Sequence, residues 1–203
     1  MSARDAILGA LPDTDSPAIA AEAAALLVTP ERPALTGPTL EAAFLERLAQ
    51  PAVAASHDRV ETLADLPAAI ARYLGKQGLP ATLCLPPASG LHGCDWTGFV
   101  LHEQCAPDEA AALGIARCAV AETGSLIFET APDAPMLPNF LALHHIVLLR
   151  ADAIVAHLED AIRPEPQPRA HYWITGVSGT TDIEGQYVRG AHGPRFLHVI
   201  LLG

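Results

Sequence analysis

The sequence predicts a single α/β domain in which helices and strands are mixed along the chain, and three observations carry that expectation. Apolar residues recur at helical spacing in several separate stretches. Short apolar runs bounded by Pro, Gly or Asp lie between and after them and read as strands. Several of these runs are apolar on both faces, which suits interior strands of a sheet covered by helices on each side. The size agrees, since 203 residues that are 50% hydrophobic and 17% charged supply one core and lack the charge density of a disordered chain.

Residues 1–38 read as an N-terminal arm with a short helix. Ser16 offers a cap, Pro17 suits the first helical position, and Ile19, Ala23, Leu26 and Leu27 follow on one face, with the rest of the arm loose. After Pro38, Thr39 can cap a helix whose Leu40, Phe44, Leu45 and Leu48 make an apolar stripe ending before Pro51. Another amphipathic helix starts near Asp65, with Leu66, Ile70, Tyr73 and Leu74 on one face and Gly75 or Gly78 as its exit. Strands are expected at 52–54, 81–85, 115–121, 125–129, 146–149, 172–175 and 196–202. A third clear helix, capped by Asp152, is expected through Ile154, Val155, Leu158, Ala161 and Ile162, before the Pro-rich stretch 164–168.

Composition narrows the function. Acidic residues outnumber basic ones 23 to 12, a net charge of −11, and no cationic cluster offsets this, so nucleic acid is not the expected partner. The first residues lack the apolar core of a signal peptide, and no apolar run approaches the roughly 20 residues of a membrane span. A soluble cytoplasmic protein is expected. Cys84, Cys94, Cys105 and Cys118 match neither zinc-ribbon pairs nor clustered iron–sulfur ligands, and read as free, mostly buried thiols.

Candidate chemistry gathers in the last part of the chain. In Ala121-Glu122-Thr123-Gly124-Ser125-Leu126 a tight turn joins two strands, either as a turn alone or with Glu122 as acceptor or base in a cleft. In 174–185 a strand feeds a loop of Gly and hydroxyl residues. Gly176, Ser178 and Thr180 there could hold a small anion, with Thr180 or Thr181 capping a short helix that carries Asp182 and Glu184. A merely capped turn fits the same residues. In 190–202, His192 lies on a loop where it could move protons, whereas His198, inside an apolar strand, reads as a buried core residue and His145 lies between these cases. No metal site is expected.

The order of these motifs, with His145-Ile146-Val147 between the first and second, closely resembles the LUD-domain family over roughly residues 39–203. The resemblance implies a three-layer α/β/α sandwich like that of ribose-5-phosphate isomerase, the CoA transferases and the 5-formyltetrahydrofolate cyclo-ligases. It also implies a part in oxidation of L-lactate to pyruvate beside partner proteins that carry iron–sulfur clusters, with no cofactor in this chain. On that footing Glu122, Asp182, Glu184 and His192 are the candidate catalytic residues. Thr123, Gly124, Gly176, Ser178, Thr180, His145 and His198 are the candidate contacts to a small carboxylate ligand. One pocket at the carboxyl ends of strands is expected to hold Glu122, Thr123, Asp182, Glu184 and His192. In it, His192 takes the lactate hydroxyl proton and backbone N–H groups of 176–180 hold the carboxylate. The alternative is a stand-alone enzyme or binding protein for a phosphorylated, folate or acyl-CoA-like molecule.

Overall fold

The computed structural model describes residues 3–10, 17–26, 32–107, 109–162 and 168–203. The chain packs as two units, Met1–Pro33 and Ala34–Gly203. The first holds α1 (Ala3–Gly9) and α2 (Pro17–Leu26). The first of these falls where a loose arm was expected: Ala3, Ala6, Ile7 and Leu8 favour helix, with no Pro and no Gly before position 9. Ser16 and Leu27 of the one helix expected in this arm lie outside the described residues.

In the second unit, α3 (Leu40–Ala49) begins as its sequence demands, the Thr39 hydroxyl accepting the Ala42 N–H at 3.1 Å. It buries Ala43, Phe44 and Leu48. The next helix, α4 (Leu66–Lys76), is preceded by a reciprocal Thr62–Asp65 cap and left through Gly78 at φ +69°. Two single-turn helices follow, α5 (Ser89–His92) and α6 (Pro138–Leu141).

The strands are β1 (Ser56–Val60), β2 (Thr82–Cys84), β3 (Val100–His102), β4 (Ala111–Ile115), β5 (Cys118–Val120) and β6 (Ser125–Glu129). Then come β7 (His144–Arg150), β8 (Ile154–Val155), β9 (His171–Ile174), β10 (Gly179–Thr181), β11 (Tyr187–Arg189) and β12 (Phe196–Leu202). Six form an all-parallel central sheet in the order β1-β12-β7-β4-β2-β3. Ile146, Leu148 and Ile200 face α4, and Val147, Leu149, Val199 and Leu201 face the other way, which explains why these strands read as apolar throughout. That second face is covered by α3 together with a smaller sheet, β8-β5-β6-β9, rather than by helices alone. The second unit is thus a mixed α/β fold around a parallel central sheet. All four cysteines are free thiols, Cys84 and Cys118 buried and Cys94 and Cys105 partly exposed.

Four local expectations fail for identifiable reasons. Residues 52–54 form a turn in which the Gln50 carbonyl accepts the N–H groups of both Val53 and Ala54, and the strand starts two residues later. That edge strand, Ser-His-Asp-Arg-Val, has no apolar pattern to betray it. The run 115–121 is two strands, because Ala116 still donates to Leu148 of the central sheet while Arg117 donates to Ile127 of the small one. The helix expected from Asp152 is a 3-10 turn, strand β8, and a second 3-10 turn over Leu158–Ala161. Asp152 is held by Arg150 at 2.6 Å instead of capping, and the β-branched Ile154 and Val155 pair with Ala119 and Val120, so sheet pairing overrides helical spacing. Residues 179–189 form an antiparallel hairpin, not a capped helix.

No helix among the described residues is long and apolar enough to cross a membrane. Phe44 is fully buried between α3 and the central sheet. Phe44→Ala is expected to cost about 3–5 kcal/mol, read as a lower urea midpoint at unchanged slope.

Candidate functional site

Where β7 and β12 begin, the loops that deliver them and the segment leaving β9 enclose a cavity of about 210 Å³. Phe140, Ile174, Pro194 and Leu197 give it apolar walls, and Asn139, His145, Ser178 and His192 its polar groups. It therefore opens at the amino ends of the central strands, not at the carboxyl ends where an open parallel sheet usually binds ligands.

His145 is the most buried of these groups at 1% exposure. It faces Phe128 and the small sheet, since residues of odd number in β7 point to that side. Its Nε2 lies 2.8 Å from Oδ1 of Asn139, whose Nδ2 donates to the Tyr172 hydroxyl at 2.6 Å. Tyr172 is itself stacked on Phe128 at 5.3 Å. Burial drives the His145 pKa down to about 3, so the imidazole is neutral, and burial raises that of the Tyr172 phenol despite the Asn139 bond.

The backbone is fitted to this arrangement. A Cβ on Gly114 of β4 would stand 2.1 Å from Asn139 Oδ1 and 2.8 Å from His145 Nε2, so only glycine leaves room for the pair. Gly176, at φ +84°, presses on the turn before β1, where a Cβ would lie 2.7 Å from the Val53 carbonyl oxygen. The Val177 N–H donates to that oxygen at 3.1 Å, and Ala54 beside it holds φ +54°.

Of the residues anticipated from sequence, His145, Gly176, Ser178 and His192 meet at the cavity, His192 exposed at its mouth. A more open cleft of about 400 Å³ shares Phe140, His192 and Gly193 with it. Glu122 and Thr123 do not join the cavity. The Glu122 carboxylate accepts from His157 Nδ1 at 3.1 Å, and Thr123 begins a hydroxyl chain through Ser125 to Thr175, with steps of 2.7 and 2.6 Å. Gly124, at φ +74°, makes the expected turn. Thr180, Asp182 and Glu184 belong to the hairpin, where the Asp182 carboxylate accepts the N–H groups of Glu184 and Gln186 and shapes the turn. The expected N–H cradle at 176–180 is not formed either, because Val177 and Ser178 donate to Val53 and Pro194.

His198 lies on the opposite face of the sheet. Its Nδ1 is 2.8 Å from the Ser56 hydroxyl, its ring stacks on Tyr73 at 4.0 Å, and burial pushes its pKa down to about 4 against the raising effect of Asp58. Sequence reading missed Asn139, Tyr172 and Gly114. The buried Asn139 in an otherwise apolar Pro-Asn-Phe turn was the available signal. Among the described residues, no group of three or more His, Cys, Asp or Glu side chains is placed to hold a metal ion.

The model of the LUD domain matches residues 108–202, a span that contains every cavity residue named above. Lactate utilization protein C of Deinococcus radiodurans is 31% identical over 153 residues, 69% of this chain and 70% of that protein. Uncharacterized protein NMB1437 of Neisseria meningitidis serogroup B is 28% identical over 92 residues, 43% of this chain and 40% of that protein. The crystal structure of a DUF162 family protein from Deinococcus radiodurans has the same fold, with a TM-score of 0.58 at 24% identity over 81% of this chain and 96% of that one.

The buried histidines set a pH dependence. A histidine held neutral by the fold stabilises it fully only above its ordinary value of about 6.5, and stability falls with pH from there down to the depressed native value. His145 and His198 are each expected to remove about 1 kcal/mol between pH 7 and pH 5.5, seen as a falling urea midpoint. His145→Phe should lessen that slope.

Proposed function

Because this chain belongs to the LUD-domain family, we propose that it works in lactate utilisation, as an accessory or substrate-binding component of a cytoplasmic multi-protein system that oxidises L-lactate to pyruvate. Its partners on this reading are the iron–sulfur proteins of that system, which take the electrons and carry the clusters. The observation that carries the proposal is the cavity at the amino ends of β7 and β12, lying within the matched span and of a size for a three-carbon acid. At about 210 Å³ it is smaller than the roughly 300–1,000 Å³ of sites for drug-sized ligands, which speaks against a whole folate or CoA in it. The fold assignment to the three-layer sandwich of ribose-5-phosphate isomerase and the CoA transferases is part of the same proposal. It is supported by α4 on one face of the parallel sheet and α3 with the small sheet on the other.

The ligand carboxylate lies toward the mouth, near the Ser178 hydroxyl and His192. An ionised group costs least beside water, and the inner wall is apolar and aromatic. On this reading His192 binds the carboxylate end. Oxidation of L-lactate to pyruvate releases two electrons and two protons, and a component that holds the acid at an open mouth presents it to the partner that accepts the electrons.

The chain is tested by affinity capture under anaerobic, low-salt conditions, followed by reconstitution with the co-purifying polypeptides. Omitting it is expected to abolish L-lactate-dependent reduction of the partner clusters, and an unchanged rate without it overturns the proposal. His192→Ala is expected to raise half-saturating L-lactate about fivefold, corresponding to about 1 kcal/mol for one exposed hydrogen bond to the carboxylate. Unchanged saturation removes His192 from the ligand site.

A further inference from the structure

We propose that Cys84 and Cys105 form a dithiol that closes reversibly into a disulfide at the expense of a low-molecular-weight disulfide, tying the loop after β3 to β2 of the central sheet. The inference is independent of which acid the cavity holds.

Sheet register brings the two thiols together. Cys84 ends β2 opposite His102 of β3, and the Leu85 N–H donates to the His102 carbonyl at 2.9 Å, so the chain leaving β3 passes beside the Cys84 side chain. The Cys84 Sγ lies 3.8 Å from the carbonyl oxygen of Glu103. Two residues on, Cys105 packs against Cys84, Ala112 and Ala142, and its thiol shares a hydrogen bond with that of Cys84. Cys84 is buried, whereas Cys105 is partly exposed. One thiol is therefore open to a dissolved reagent, and the other is reached through it. The remaining cysteines are held elsewhere, Cys94 donating to the Leu63 carbonyl at 3.3 Å and Cys118 lying in the small sheet near Arg117 and Glu129.

The surroundings favour the closed pair once it forms. Burial pushes the Cys84 thiol up to about 12, with Cys105 and the Glu109 carboxylate adding to it, and burial and Glu109 likewise raise that of Cys105. A dithiol that resists ionisation gives up no stabilised thiolate on closing, so its disulfide is hard to reduce, and the same resistance makes its formation slow. The exchange balances in two steps. The Cys105 thiolate attacks one sulfur of the reagent disulfide, whose S–S bond breaks, and the first reagent thiol leaves with the Cys105 proton. Cys84 then attacks the Cys105 sulfur and displaces the second reagent thiol, which takes the Cys84 proton. Two cysteine thiols are oxidised by two electrons and one reagent disulfide is reduced to two thiols. The loop so tied is bracketed by His102 Nε2 and Glu109, 2.6 Å apart, and it carries Pro107, a wall of the open cleft that shares His192 with the cavity.

The test incubates the full chain overnight with millimolar glutathione disulfide in mildly alkaline buffer, alkylates the remaining thiols and maps every cysteine by peptide mass spectrometry. Cys84 and Cys105 are expected to be recovered as one joined peptide pair carrying no glutathione, and dithiothreitol is expected to restore both thiols. Glutathione retained on Cys105, an unreacted Cys105, or a cross-link from either residue to Cys94 or Cys118 overturns the proposal. This measurement needs no altered protein. A second one follows the order of attack in Cys105→Ser, a change at a partly exposed position. Loss of the Cys84 thiol is expected to slow at least about tenfold there, because the buried sulfur no longer has an accessible partner to receive the reagent. Loss at an unchanged rate overturns the proposal.

Discussion

The parallel pairing of β7 with β12 is the constraint on which the rest of this molecule depends. Seven residues of each strand run in register from His144 opposite Phe196 to Arg150 opposite Leu202, in the middle of the sheet. Each strand must serve two cores at once, so residues of one parity pack on α4 and those of the other on α3 and the small sheet. The same parity distributes the histidines at the strand starts. His144 and His198 fall on the α4 face beside Tyr73, and His145 falls on the other, against Phe128. Burial holds all three below the ordinary histidine range. Polar rings in a dry sheet need partners, and Ser56, Tyr73 and Asn139 each meet one ring nitrogen, while Nδ1 of His145 and Nε2 of His198 stay buried without one.

The placement of the cavity follows from what lies at the two ends of these strands. At the carboxyl ends, Arg150 and Asp152 pair with each other, Arg59 bonds to the carbonyl of Gly203, and Glu61, Arg150, Asp152 and Leu202 border a more open, shallow cleft of about 490 Å³. At the amino ends, three incoming segments converge: α6, the stretch after β9 and the Gly-Pro turn before β12. Loops, not strand direction, made the concavity. The general tendency of parallel sheets to bind at their carboxyl ends describes folds whose functional loops all leave strands there.

Much of the fold could be read in advance, and the reasons are local. The strand at 125–129 and the one at 196–202 match the structure at both ends, and α3 was announced by Thr39, its apolar stripe and Pro51. What escaped depended on distant partners. Ser56–Val60 is polar and becomes a strand only because β12 lies beside it. Ile154-Val155 fits a helical stripe as well as a strand, and Ala119 and Val120 decide between them. The cavity divides in the same way. His145, Gly176, Ser178 and His192 stand in conspicuous motifs, but Gly114, Asn139 and Tyr172 come from three elements and acquire meaning only when the sheet brings them together. Conspicuousness also misled, since Asp182 and Glu184 stand out in sequence and serve a hairpin turn.

The contact between Gly176 and the turn at Val53 gives a surface loop an unusual status. Loops ordinarily absorb insertions and deletions because little else leans on their backbone. Here the wall of the cavity leans on one: Gly176 rests against the carbonyl of Val53, which also accepts from Val177, and Ala54 takes a left-handed conformation to present it. The number of residues between α3 and β1 is thereby fixed from a site more than a hundred positions away in the chain. Drift in length is shut out of this connection and left to places such as the exposed hairpin tip at Ile183, where nothing rests on the chain.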